Sequence, residues 1–156
     1  EGVYQYYKNC YIEGTVDFIF GEATAVFEGC TLKEKSNGYF SAASTPQNRP
    51  YGYVFINCNL TAAPNVTKAS LGRPWRAFAK VVYIDCKLGS FISPEGWTKW
   101  AGGDKPTAYY AEYRSTGEGA NPAKRAAWSK QLTAKEAKAY TLKNIFSGAS
   151  GWAAIQ

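Results

Sequence analysis

Phe55-Ile56-Asn57-Cys58-Asn59-Leu60 is followed by Tyr83-Ile84-Asp85-Cys86-Lys87-Leu88, the same run of aromatic, two residues, Cys, one residue and Leu. Two earlier stretches carry the pattern as well: Tyr7-Lys8-Asn9-Cys10-Tyr11-Ile12 and Phe27-Glu28-Gly29-Cys30-Thr31-Leu32. The cysteines follow one another at intervals of 20, 28 and 28 residues. A strand-like unit recurring at that period predicts an all-β solenoid, a parallel β-helix with one rung per copy. Strict alternation places Val54, Ile56, Cys58 and Leu60 on one face, and Val82, Ile84, Cys86 and Leu88 on the equivalent one. Lys8 and Glu28 break that pattern in the earlier copies. Equivalent positions on successive coils stack about 4.8 Å apart, and a small, weakly polar thiol fills such a core well. Four buried free thiols are therefore expected, not two disulfides.

Outward from the repeats, turn chemistry separates the rungs at Lys35-Ser36-Asn37-Gly38, Thr45-Pro46-Gln47-Asn48-Arg49-Pro50 and Thr61-Ala62-Ala63-Pro64. Asn65-Val66-Thr67 matches a glycosylation acceptor. The repeat stops at Gly89. Beyond it lie the aromatic-rich Gly96-Trp97-Thr98-Lys99-Trp100 and Tyr109-Tyr110-Ala111-Glu112-Tyr113, then Thr133-Ala134-Lys135-Glu136, a capping box that opens a helix to about Tyr140. One domain is expected over 1–156, with coils over about 1–90 and a loop-rich tail with a short helix over about 91–156. The opening Glu1-Gly2-Val3-Tyr4 lacks a Met, lies within a strand-like pattern and reads as a cut end.

Composition narrows the chemistry. The 156 residues are 46% hydrophobic and 16% aromatic, enough for a real core. There is no histidine, which excludes Ser-His-Asp and Cys-His catalysis and the usual zinc sites. Hydrolytic chemistry here must run on carboxylates, Arg, Lys, Tyr or amides. The net charge of +6 favours an acidic partner, but the basic residues are dispersed and form no nucleic-acid motif. No apolar run is long enough to span a membrane.

Two stretches stand apart. Gly14-Thr15-Val16-Asp17-Phe18-Ile19-Phe20-Gly21 sets one carboxylate among strand formers, which predicts a short, largely buried strand. A buried carboxylate costs several kcal/mol unless it is paired or neutral. Asp17 is thus either a structural acid locked to a cation or a group retained for chemistry. Leu71-Gly72-Arg73-Pro74-Trp75 is the second. Counting repeats puts Arg73 two coils from Asp17, roughly 10 Å along the stack, within reach of a long guanidinium. Bidentate pairing would orient the carboxylate. Phe20 and Trp75 then flank the pair, either as platforms for a sugar ring or as ordinary core.

These two stretches resemble the signature motifs of the pectinesterases (pectin methylesterases). The resemblance continues through Glu95-Gly96-Trp97, Tyr110-Ala111-Glu112-Tyr113, Gly117-Glu118-Gly119-Ala120 and the Trp128-to-Gly148 segment. It implies a right-handed parallel β-helix that hydrolyses galacturonate methyl esters in pectin. It implies Asp17 as nucleophile, Arg73 as the residue orienting it, and Phe20, Trp75 and Val16 lining the sugar subsite. It implies no metal and no cofactor, methylated homogalacturonan as partner, no nucleic acid or membrane partner, a monomer, and a secreted, extracellular or periplasmic location. In that family an acid/base aspartate and oxyanion glutamines precede the nucleophile, which would place them before Glu1. The expectation is a C-terminal portion that needs the N-terminal half and is inactive alone. Two other readings share the scaffold: a non-catalytic pectin-binding wall protein, and a pectate lyase, which would need clustered carboxylates for calcium.

Overall fold

The computed structural model describes residues 3–103, 105–150 and 152; Glu1 and Gly2, where the strand-like opening begins, lie outside them. Its strands form a right-handed parallel β-helix. The largest sheet stacks Tyr4–Lys8, Thr24–Glu28, Tyr53–Ile56, Lys80–Ile84, Tyr109–Tyr113 and Lys130–Gln131, all parallel. The second stacks Tyr11–Gly14, Thr31–Glu34, Asn59–Ala62 and Lys87–Leu88. The third stacks Ile19–Gly21, Ser41–Ala43 and Arg73–Pro74, and a short pair joins Gly38–Tyr39 to Ala69–Ser70.

The corner between the first two sheets corrects the expected alternation. Asn9, Gly29, Asn57, Asp85 and Arg114 all have positive φ, between 51° and 62°. Each stands immediately before Cys10, Cys30, Cys58, Cys86 or Ser115. A left-handed residue turns the chain and resets the inside–outside parity, so the aromatic three residues before the cysteine faces inward with it. Tyr7, Phe27, Phe55 and Tyr83 accordingly stack in one column inside the helix, with ring centroids 4.8, 4.7 and 4.3 Å apart. Such pairs contribute about 0.5–1.5 kcal/mol each beyond burial. Val26, Val54, Val82 and Ile84 belong to the other face, beneath Leu132, Ile145 and Phe146 of the tail. The exception at Lys8 and Glu28 thereby disappears. Their slot, shared with Ile56 and Ile84, lies outside the coil.

Every cysteine is free, and three are fully buried; Cys10, on the first rung, is half-buried. Cys30, Cys58 and Cys86 donate to the carbonyls of Tyr7, Phe27 and Phe55 on the preceding coil, at 3.4, 3.2 and 3.5 Å. Thiols here bridge rungs as weak donors. At the corner, a methyl group on Gly29 would stand 2.5 Å from Asn9 Oδ1, in a backbone conformation L-residues avoid. Gly29→Ala is therefore expected to lower stability by about 1–3 kcal/mol, read as a fall in the thermal midpoint; an unchanged midpoint contradicts the corner's geometry.

The coil does not stop at Gly89. Tyr109–Tyr113 continues the first sheet and Thr116 bridges Lys87, although Ser115 replaces cysteine and hides the repeat. The inward aromatic column ends on Glu112, which pairs in register with Tyr83. Arg125 closes that end: its Nε lies 2.6 Å from Glu112 Oε2 and its Nη2 3.1 Å from Oε1, both side chains at most 3% exposed. Further along the tail, Thr133 and Glu136 form the expected capping box on the helix Ala134–Ala137. A second helix, Leu142–Ile145, carries no such signature in sequence.

Candidate active site

Asp17 does not sit in a buried strand. The strand begins only at Ile19, and Asp17 occupies the preceding turn with φ +56°. Asp tolerates this conformation better than most residues, and its own N–H donates to the Tyr39 carbonyl at 2.8 Å. The glycine-bracketed stretch thus presents its acid at a corner, with the side chain 18% exposed. Val16 and Phe20 are 49% and 66% exposed.

Arg73 reaches that corner through the sheet register. Phe20 pairs with Ala42 and Ala42 with Arg73, so Arg73 lies two rungs from the strand that follows Asp17. Ala42 between them is too small to block the guanidinium. Arg73 Nε donates to Asp17 Oδ1 at 3.1 Å and Nη2 to Oδ2 at 2.6 Å, the bidentate geometry expected from the sequence. Hydrogen bonding to Asp17 raises the Arg73 pKa above its ordinary value.

Two aromatic rings hold the guanidinium. Its carbon stands 3.9 Å from the Tyr39 ring centroid and 4.4 Å from that of Trp100, a cation–π arrangement. Both rings lie outside the two motif stretches: Trp100 closes an aromatic-rich loop and Tyr39 follows a turn signal. Trp75 packs against Phe20 edge-on at 6.3 Å and against Trp100 at 6.4 Å. Phe20, exposed, and Trp75, half-buried, therefore form one aromatic wall, while Tyr39 and Trp100 clamp the arginine. Each clamping ring also lines a depression. One, about 180 Å³, is lined by Pro74, Lys99, Trp100, Lys105, Pro106 and Trp128. The other, about 340 Å³, includes Tyr39, Lys68, Ser70 and Thr98.

An ion pair whose clamping rings each line a depression, beside an aromatic wall, suits an extended polymer with apolar ring faces and anionic groups. Among the described residues no three acidic or thiol side chains gather to hold a metal ion, and no helix is long and apolar enough to cross a membrane.

The family model described as Pectinesterase matches residues 2–149. Pectinesterase 2 of Citrus sinensis is 37% identical over 161 residues, covering 94% of this chain and 32% of the relative. The pectin methylesterase from carrot superposes with a TM-score of 0.88 at 30% identity, over 97% of this chain and 52% of that one. A pectin methylesterase solved in complex with hexasaccharide VII gives 0.78 at 29% identity, over 91% and 51%. The chain thus spans about half the length of these solved structures and a third of the plant relative.

Proposed function

Because the chain belongs to the pectinesterase family, we propose that the protein built on these residues hydrolyses galacturonate methyl esters in pectin, releasing methanol and leaving pectate. The observation that carries this reading is the bidentate Asp17–Arg73 pair, held on a left-handed turn and still partly exposed.

Asp17 attacks the ester carbonyl with one carboxylate oxygen, and the carbonyl electrons collect on oxygen. Collapse expels methoxide, which takes a proton and leaves as methanol; the uronate is then joined to Asp17 as an anhydride. Water cleaves the anhydride and restores the carboxylate. Arg73 fixes the plane of Asp17, and Tyr39 and Trp100 fix Arg73. The exposed ring of Phe20 and the half-buried ring of Trp75, with Val16, offer apolar surface to the pyranose. The proton for methoxide and the donors to the oxyanion come from groups other than this pair. A secreted monomer working on the wall polymer without a cofactor fits the reading, and the net positive charge suits the polyanionic product.

Methanol release from methylated pectin by the natural full-length polypeptide tests the activity. Arg73→Lys keeps the charge but removes the fork and the ring stacking. It is expected to lower kcat by about 10–100-fold with KM little changed, a misplacement effect. An Arg73→Lys enzyme with wild-type kcat contradicts the clamp.

A further inference from the structure

Glu34 is a second acid at this corner, and the proposed chemistry does not use it. It ends the strand Thr31–Glu34 and points inward with Leu32, 0% exposed. Its neighbours on the adjacent rungs are Gly14 and Ala62, small enough to leave room for a longer side chain. Neither carboxyl oxygen has a hydrogen-bond partner among the described residues. A methyl group on Gly38 would stand 3.3 Å from Glu34 Oε1, 3.2 Å from Val16 Cγ2 and 3.3 Å from Val16 Cα. Glu34 Oε1 and Val16 therefore meet across Gly38, and the carboxyl is buried from any substrate yet near enough to Asp17 to feel its charge.

Resting on the function proposed above, we propose that Glu34 is a positioning residue: as an uncharged acid it packs under the Val16–Asp17 turn and keeps the nucleophile in place, and on ionising it withdraws that support. The cover over Glu34 is thin, since Val16 is half exposed. A carboxylate stranded in apolar surroundings gains most by opening its cover to water. The Val16–Asp17 turn, left-handed at Asp17 and half exposed at Val16, is the segment that yields.

Burial, with the like charge of Asp17 second, raises the Glu34 pKa from 4.5 to about 8. The ionisable groups around it are Asp17, already taken by Arg73; Tyr39, beneath Arg73; Lys33, on the opposite face of its strand; and Lys35, paired with Glu13 at 2.9 Å. The unfolded chain gives up the proton first, so the contribution of Glu34 to stability is complete below its ordinary pKa. It is lost as pH climbs through the folded value, from about 4.5 to about 8.

The test compares Glu34→Gln with wild type in the natural full-length polypeptide. At pH 6 the two are expected to release methanol within about twofold of each other. At pH 9, where about nine-tenths of Glu34 is ionised, the wild type is expected to fall at least about fivefold below Glu34→Gln in kcat, with KM unchanged. A constant ratio between the profiles overturns the proposal. Two readouts stand apart from activity. In protein carrying carboxyl-¹³C glutamate, one resonance is expected to titrate near pH 8, vanish in Glu34→Gln, and move the Asp17 amide with it. Glutamates that all titrate below pH 6, or an Asp17 amide that stays still, overturn it. Absence of methanol release at every pH, with that coupled titration intact, instead refutes the esterase reading.

Discussion

Asp17→Asn is expected to lower methanol release from methylated pectin by about a thousandfold or more, the scale on which covalent nucleophiles are lost. The substitution is nearly isosteric, and Asn accepts a left-handed backbone as readily as Asp, so the turn at φ +56° survives. The pair's side chains are 18% and 19% exposed, but the Asn Oδ1 still accepts from the guanidinium, so one charge-assisted bond is weakened and not lost and the thermal midpoint is expected to move by only a few degrees. The combination is diagnostic. A binding protein on the same scaffold would keep its affinity for pectin in Asp17→Asn and show no turnover to lose. Wild-type methanol release in this variant removes Asp17 from the chemistry.

The second large effect is on the fold. Arg125→Ala is expected to destabilise the protein by about 3–5 kcal/mol, because it strands a buried carboxylate. Glu112 is 1% exposed, and its strongest partners are the two Arg125 nitrogens at 2.6 and 3.1 Å. The same guanidinium donates to the carbonyls of Pro94 at 3.0 Å and Gly119 at 2.8 Å, so it also ties two loops to the rung that carries Glu112. Packing around it is close: a methyl group on Gly96 would come within 2.6 Å of Arg125 Cδ. In a chain of this size the loss corresponds to a fall of about 10 °C in the thermal midpoint. Glu112→Gln in the Arg125→Ala background is expected to restore part of it, since a neutral amide is less costly to bury. A midpoint within about 2 °C of wild type for Arg125→Ala contradicts the view that this pair seals the stack.

The rung repeat was legible because cysteine is rare and stands at one fixed corner of each coil. What stayed hidden follows from the same corner. Sequence alternation assumes unbroken extended backbone, whereas Asn9, Gly29, Asn57, Asp85 and Arg114 are left-handed and reverse the parity. Asn, Asp and Gly are the residues that favour this conformation, so the signal lay immediately before each cysteine. Arg114-Ser115 concealed the fifth rung because neither residue type matches the earlier copies. At the site, coil counting anticipated the meeting of Asp17 and Arg73 across two rungs, since rung spacing is nearly constant. The placement of Asp17 in a turn was not anticipated, because Val, Phe and Ile around it carry strand propensity whichever side of the corner they occupy. Tyr39 and Trp100 reach Arg73 from separate coils, a convergence no local pattern encodes.

Trapping the covalent intermediate tests the central claim most directly. The natural full-length polypeptide would be turned over on methylated pectin with hydroxylamine present, then mapped by peptide mass spectrometry. Attack by Asp17 predicts a hydroxamate at residue 17, formed only with methylated substrate and absent from Asp17→Asn. Methanol released at the full rate while the hydroxamate maps to a different carboxylate would contradict it.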